Sequence, residues 1–276
     1  MIMREIEEYE KKAKEFHRIG EFMNAIEYHK KALSLKGRYL GIKNLHTASS
    51  YNSLAILYST LEEYSEALLL QNKSIEIVKE LLGDENADIA TNYYNLANIY
   101  FKMNDIDEAL DLHKKALDIR VKELGTENVE TAYSLARLAK VFDSLEKYDS
   151  ALIFFNHALK VLEKKSEGSE IFIANIYDDL GGLYYDLEEF DKVEKFCFKA
   201  LKIKKELFGE NHLQVAITYY NLAIFSFNEK KDYIEAYKYM KKCVDIRKSF
   251  LPKKHGDLIE AVDVLKMIKR MKVNKN

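Results

Sequence analysis

The chain repeats itself every 42 residues. Ala25 in FMNAIEYHKKAL, Ala67 in YSEALLLQNKSI, Ala109 in IDEALDLHKKAL, Ala151 in YDSALIFFNHAL, Val193 in FDKVEKFCFKAL and Ala236 in YIEAYKYMKKCV stand in register, at steps of 42, 42, 42, 42 and 43. A second small residue follows each anchor after seven places: Ala32, Ser74, Ala116, Ala158, Ala200 and Cys243. A third precedes the first five anchors by twelve: Ala13, Ala55, Ala97, Ala139 and Gly181. In the sixth unit Ala223 lies thirteen before, which places one inserted residue near Lys230 and Lys231. A period of this length means that each unit is one supersecondary element that buries its apolar face on its neighbours.

Within a unit the spacing is helical. Tyr93, Leu96, Ala97 and Tyr100 follow i, i+3, i+4, i+7, and Ala109, Leu112, Ala116 and Ile119 carry a second stripe. Small residues let two helix backbones approach, while Tyr58, Tyr64, Tyr100, Tyr148, Tyr184 and Phe190 fill the space beside them. With only 1 Pro and 10 Gly in 276 residues, little interrupts these helices. The pattern predicts an all-α chain and a single repeat domain over residues 1–276, with hairpins at about 3–37, 44–82, 86–124, 128–165, 170–208 and 212–250. Beyond Pro252, Leu258, Ile259, Val262, Leu265, Ile268 and Met271 keep helical spacing and predict a capping helix at about 257–272.

The joints between hairpins read LGIKNLHTA, LGDENADIA, LGTENVETA and FGENHLQVA. Gly41, Gly83, Gly125 and Gly209 stand where a helix ends in the left-handed conformation, and three residues later Asn44, Asn86, Asn128 and His212 stand at the next N-cap. The fourth joint, KKSEGSEIFIA, puts Glu167 in the glycine column and Gly168 one place later, which predicts altered loop geometry.

This pattern of small and large residues resembles the tetratricopeptide repeat. The 42-residue period, the LG-(x)₂-[NH] joints and the N-L-A helix starts resemble the kinesin light chain subfamily, over residues from about 5 to 250. The usual Trp is replaced by Tyr9, Tyr51, Tyr93, Tyr177 and Tyr219, with Leu135 the exception. The family's proline after each joint gives way to Leu45, Ala87, Val129, Ile171 and Leu213. The resemblance implies a right-handed superhelical solenoid with the first helix of each pair on the concave side.

The residues also exclude function classes. With 43 Lys+Arg against 45 Asp+Glu, the net charge of −2 argues against bulk neutralisation of nucleic acid. Four charges in the first eight residues do not suit a secretory leader, and the longest uncharged run, His212 to Asn228, is too short and polar for a membrane span. A cytoplasmic location is therefore expected. Cys197 and Cys243, 46 residues apart, imply neither disulfide nor zinc site and are read as packing residues. No HExxH, HxxxH, GxxxxGK[ST], GxGxxG or GxSxG is present, so no enzyme and no cofactor or metal is expected. His29 and His113 share one repeat column and His212 and His255 another, which points to structural roles.

The resemblance directs attention to the inner face of the first helices. Two small-anchor-flanking columns run Lys11, Ser53, Asn95, Arg137, Asp179, Asn221 and Lys14, Ile56, Asn98, Lys140, Gly182, Ile224. Amides and a guanidinium in one row suit an extended peptide whose carbonyls and carboxylates need donors. The candidate groove residues are Asn52, Tyr94, Asn95, Asn98, Tyr133, Arg137, Lys140, Asp179, Tyr220 and Asn221, with the three tyrosines packing on apolar ligand side chains. The amides could equally serve the stack itself. Ser49, Thr91 and Tyr133, where a carboxylate clamp needs Lys, disfavour a conventional chaperone-tail site.

Asp178, Asp179 and Asp186 make the fifth unit acidic, while Ile217, Tyr220 and Ile224 make the sixth apolar, as a self-association surface or a ligand pocket. From Lys230 onward fourteen Lys/Arg face six Asp/Glu, read either as a contact for an acidic partner or as a solvated capping helix. The leading expectation is a non-enzymatic adaptor for a protein or peptide partner, with no nucleic acid and no membrane span. A peptide-signal sensory module and a self-assembling solenoid, joined through the sixth repeat, are the alternatives.

Overall fold

A computed structural model describes residues 2–164 and 168–273. Among them are thirteen helices and no strand: α1 (Ile2–Arg18), α2 (Phe22–Tyr39), α3 (Leu45–Thr60), α4 (Tyr64–Leu82), α5 (Ala87–Lys102), α6 (Ile106–Leu124) and α7 (Val129–Ser144), then α8 (Tyr148–Lys164), α9 (Glu170–Asp186), α10 (Phe190–Phe208), α11 (Leu213–Asn228), α12 (Tyr233–Phe250) and α13 (Gly256–Val273). The boundaries follow the period. Helices α1–α7 belong to one compact unit, Met1–Leu145, and α8–α13 to a second, Glu146–Asn276. Within each unit the first and second helices of a hairpin pack together, α1 on α2, α3 on α4, α5 on α6, α9 on α10 and α11 on α12.

The joints terminate helices as their chemistry dictates. Gly41, Gly83, Gly125 and Gly209 all have φ between 78° and 88°, a region closed to most residues with a Cβ. Asn44, Asn86 and Asn128 accept from the backbone N–H groups of His46, Ile89 and Glu130 at 2.8–2.9 Å, satisfying a first-turn donor that would otherwise lack a partner. The His212 imidazole does the same for Gln214 at 3.2 Å. Gly168 takes φ 84°, so the left-handed turn of the fourth joint is moved by one place; Glu167 lies outside the described residues.

Inside the hairpins a left-handed residue recurs at Gly20, Glu62, Asn104, Glu146, Glu188 and Lys231, with the extra residue of the sixth turn falling between Asn228 and Tyr233. The small columns are buried at the helix crossings. Ala13, Ala55, Ala97 and Ala223 are fully buried, as are Ala25, Ala67, Ala109 and Ala236 on the second helices of the same hairpins, and Ala139 and Ala151 are fully buried as well. At Gly181 a Cβ would stand 2.8 Å from the Cys197 sulfur, so the only non-alanine in that column accommodates its neighbour's thiol. Tyrosines in the usual Trp position are covered by lysines of the second helix, Lys73 over Tyr51 at 5.7 Å, Lys199 over Tyr177 at 4.9 Å and Lys242 over Tyr219 at 5.0 Å.

Candidate functional site

Four buried cations organise the first helices. Lys36, Arg120, Lys204 and Arg247 occupy one column, eleven places after the anchor, and all are buried; Val78 and Leu162 hold it in the second and fourth hairpins. Each cation reaches back to the first helix of its own hairpin and, in three cases, forward to a backbone carbonyl in the first turn of the next. Lys36 pairs with Glu10 at 2.5 Å and donates to the His46 carbonyl and Ser50 hydroxyl at 2.8 Å. Arg120 lies 4.8 Å over the Tyr94 ring and donates to the Glu130 carbonyl at 2.8 Å, Ser134 at 2.9 Å and Thr91 at 3.2 Å. Lys204 is ion-paired with Asp178, whose carboxylate also accepts from Thr218 at 2.8 Å. Arg247 lies 4.9 Å over Tyr220 and donates to the Asp257 carbonyl.

These contacts correct the reading of several side chains. Asp178 is not a groove acid: it is buried between Lys204 and Thr218, and burial pushes its carboxyl up while Lys204 and Thr218 oppose the shift. Tyr220 does not offer a bare ring either. Arg247 covers one side, its hydroxyl donates to Glu260 on α13 at 2.7 Å, and it packs with Ile224 against the buried cluster of the sixth hairpin. Burial and Glu260 together raise its phenol above the ordinary value. Of the three residues expected to form an apolar patch there, Ile217 alone is exposed.

On α3, α5 and α7 the candidate residues do come together, all half-buried. Asn95 donates to the Asn52 carbonyl oxygen at 2.8 Å. The bond leaves the Asn52 amide NH2 and the Asn95 carbonyl oxygen without a hydrogen-bond partner among the described residues. Arg137 donates through Nε to the Tyr94 hydroxyl at 3.2 Å, and Tyr94 is held from beneath by Arg120 and by the edge of the His113 ring at 5.6 Å. Tyr94 thus supports Arg137 rather than waiting as an open apolar platform. Asn98, one turn after Asn95, makes no side-chain hydrogen bond among the described residues, and Lys140 and Tyr133 lie on the turns of α7 that flank Arg137.

In the second unit Asp179 and Asn221 are half-buried on α9 and α11. The organising role of Arg120 was missed in the sequence because a charged helix residue is ordinarily assigned to solvent. Its signal was present: a column that holds a cation in four of six hairpins, matched 26 residues before Lys36, Arg120 and Lys204 by Glu10, Tyr94 and Asp178.

Burial accounts for the remaining titratable groups. It pushes the Cys197 and Cys243 thiols up to about 12 and about 11, which fits packing residues and not nucleophiles. His113 is held down to about 3 by burial and then by Arg137 and Arg120, and His29 to about 4 chiefly by burial, so both are neutral. His212 and His255 cap α11 and α13. No helix among the described residues is long and apolar enough to cross a membrane.

A tetratricopeptide-repeat family profile matches residues 14–80, 88–164 and 172–249. The chain belongs to the tetratricopeptide-repeat family. No curated protein matches it. Among solved structures it is similar to a Rap protein complexed with Competence and Sporulation Factor, at TM-score 0.69 and 13% identity over 99% of this chain and 76% of that one. BtubC (BKLC) from P. vanneervenii is similar at TM-score 0.57 and 19% identity, over 93% and 96% of the two chains. Nearly identical tetratricopeptide-like repeats named after a kinesin light chain of Podosopora anserina are similar at TM-score 0.54 and 16% identity, over 75% and 97%. At these identities the likeness is one of fold. Tetratricopeptide-repeat proteins are in general non-catalytic scaffolds for protein interactions, and this chain carries that scaffold.

Proposed function

We propose that this tetratricopeptide-repeat protein is an adaptor that binds an extended segment of another protein along the first helices α3, α5 and α7. The observation that carries the reading is the row formed by the unused amide groups of Asn52 and Asn95, the Asn98 amide without a hydrogen bond among the described residues, and Arg137 bonded to Tyr94. A peptide backbone needs one donor and one acceptor per residue, and an amide edge supplies both. Arg137 and Lys140 suit a carboxylate on the same segment. Asp179, Tyr220 and Asn221 are not needed by this site, which draws on the first unit alone. A groove with few anchors and open to water gives dissociation constants from tens of nanomolar to tens of micromolar, about −7 to −10 kcal/mol.

Affinity capture with the wild-type chain and an Asn98→Ala/Arg137→Ala variant, read by mass spectrometry, tests this. A protein held by the first and lost by the equally folded second is expected; the same set of proteins on both would remove the site. A second reading, a module that tightens around a signalling factor, draws on the likeness to the Rap protein bound to Competence and Sporulation Factor. It predicts a smaller hydrodynamic radius on ligand addition, which a rigid adaptor would not show.

A further inference from the structure

Helix α13 is built as the first helix of a hairpin. His255 caps it as His212 caps α11, each imidazole accepting at 3.2 Å from the backbone N–H two residues on. Leu258, Ala261 and Ile268 bury the same face as Val215, Thr218 and Phe225 of α11, and Ala261 and Ile268 join the core cluster of the sixth hairpin.

It departs from the others on the face that a second helix would cover. There α3, α5, α7, α9 and α11 present Ala48, Ala90, Ala132, Ala174 and Ala216, and seven residues later Ala55, Ala97, Ala139, Gly181 and Ala223, while α1 presents Ile6 and Ala13, all buried. In α3 these positions meet the helix that follows: Ser74 of α4 donates to the Ala48 carbonyl at 2.9 Å, and Ala55 packs with Ala67. The corresponding residues of α13 are Ile259, 49% exposed, and Lys266, also exposed. Lysine at a crossing that elsewhere admits only alanine or glycine bars a helix from docking there as α4 docks on α3. The face is therefore not shaped to receive one more repeat helix, from this chain or from a second copy.

What the face does offer is a cleft of about 520 Å³ lined by Leu251, Leu258, Ile259 and Val262 and rimmed by lysines. It is followed along the helix by a second opening of about 490 Å³ between Lys266, Lys269, Arg270 and Val273. The cations along it are opposed by Asp263 alone among the lining residues, and Asp263 is taken up in an exposed pair with Lys266 at 2.7 Å. Residues 259 to 273 span about 21 Å of helix, the length of four turns of a ligand helix lying alongside. Two copies of so cationic a face would repel each other in a symmetric contact.

We infer that the outer face of α13 docks an acidic amphipathic helix of a partner protein, with apolar side chains in the Leu251–Val262 cleft and carboxylates on Lys266, Lys269 and Arg270. Apolar anchors set in a groove with complementary charge at the rim are the usual means of helix recognition. The face is separate from the α3–α5–α7 row, so it stands or falls independently of the peptide site.

The probe is a fluorescent eighteen-residue peptide with Leu on one helical face and Glu elsewhere, titrated into the full chain by anisotropy. A peptide of the same composition, scrambled to lose the apolar face, is titrated in parallel. The expected result is micromolar binding of the first, at least tenfold weaker binding of the scrambled peptide, and at least tenfold loss with Lys266→Glu/Lys269→Glu. Both residues are exposed, so the melting temperature of that variant should not change. An Ile259→Asp variant should lose binding as well. Equal binding of the two peptides, no binding, or binding that survives the charge reversal would overturn the inference. Cosedimentation with phosphatidylserine vesicles in place of peptide binding would assign the face to an anionic lipid surface instead. A concentration-dependent rise in mass abolished by the same variant would assign it to a second copy, and either result overturns the acidic helix.

Discussion

The third hairpin and the fifth solve one problem in two ways. Both place a cation in the same buried column, Arg120 in residues 1–145 and Lys204 in residues 146–276. Lys204 is neutralised by Asp178, which is thereby withdrawn from the surface. Arg120 lies over the neutral ring of Tyr94, pairs with the exposed Glu130 carboxylate of α7 at 3.0 Å and takes no acid from α5, and the Tyr94 hydroxyl accepts from Arg137. A charge buried against a charge ends its influence there, whereas a charge buried against a ring leaves the ring's polar end to organise the surface. Because Arg120 uses no acid of its own hairpin's first helix, the Tyr94 hydroxyl on α5 is left to receive Arg137.

That difference has measurable consequences, the largest in the second unit. Lys204→Met leaves Asp178 buried without its counter-charge and should cost about 3–5 kcal/mol in urea unfolding, as loss of one partner of a buried pair does. Changing both, Lys204→Met with Asp178→Leu, should recover most of that loss. If the single substitution costs no more than an average surface change, the pair is not the buried lock described here. Arg120→Met should cost less, about 1–3 kcal/mol, because Glu130, its carboxylate partner, is 48% exposed and can be solvated when left alone. Its larger effect should fall on ligand binding, through Tyr94 and Arg137.

Acid should act on the first unit through its histidines. His113 and His29 are neutral when folded, with values of about 3 and about 4, but take up a proton near 6.5 when unfolded. Folding stability from these groups is complete above pH 6.5 and is lost as pH falls toward the folded values. Between pH 7 and 5 the wild type should lose about 2 kcal/mol more than a His113→Met variant, a substitution that copies Met240 in the same column. Parallel pH curves for the two would contradict the burial of a neutral imidazole. The smallest effect is expected at a turn of the second unit. Glu188 sits at φ 57°, where the first hairpin has Gly20, so Glu188→Gly should stabilise by about 0.5 kcal/mol, the left-handed strain removed less the entropy of glycine. A loss of stability would mean that the Glu188 side chain makes a contribution of its own.

The sequence made the periodic features legible because each repeats a local rule. Helix ends follow from glycine in the left-handed region and an Asn or His cap three residues on, and the crossings follow from columns of alanine. The inserted residue near Lys230 could be placed because the columns on either side stay in register. Local rules failed where a residue's role depends on a partner in another helix. Asp178 and Tyr220 read as groove residues from their helical phase, yet Lys204 and Arg247, 26 and 27 residues away, draw them into the stack. Tyr94 reads from its helical phase as a ring open to a ligand's apolar side chains, since nothing within one helix reveals Arg120 stacked on it. The same blindness hid the peculiarity of α13, whose stripe of apolar residues is regular while Lys266 breaks a column that becomes visible only when the hairpins are superposed.

The central claim is that the row on the first unit, and not its equivalent on the second, holds the ligand. The direct measurement is the dissociation constant of a captured peptide for the wild type, Asn98→Ala/Arg137→Ala and Asn221→Ala, by calorimetry at one salt concentration. The account predicts a loss of about 1–3 kcal/mol for the first-unit variant, with unchanged melting temperature, and no change for Asn221→Ala. Unaltered affinity of the first-unit variant, or an equal loss from Asn221→Ala, would contradict it.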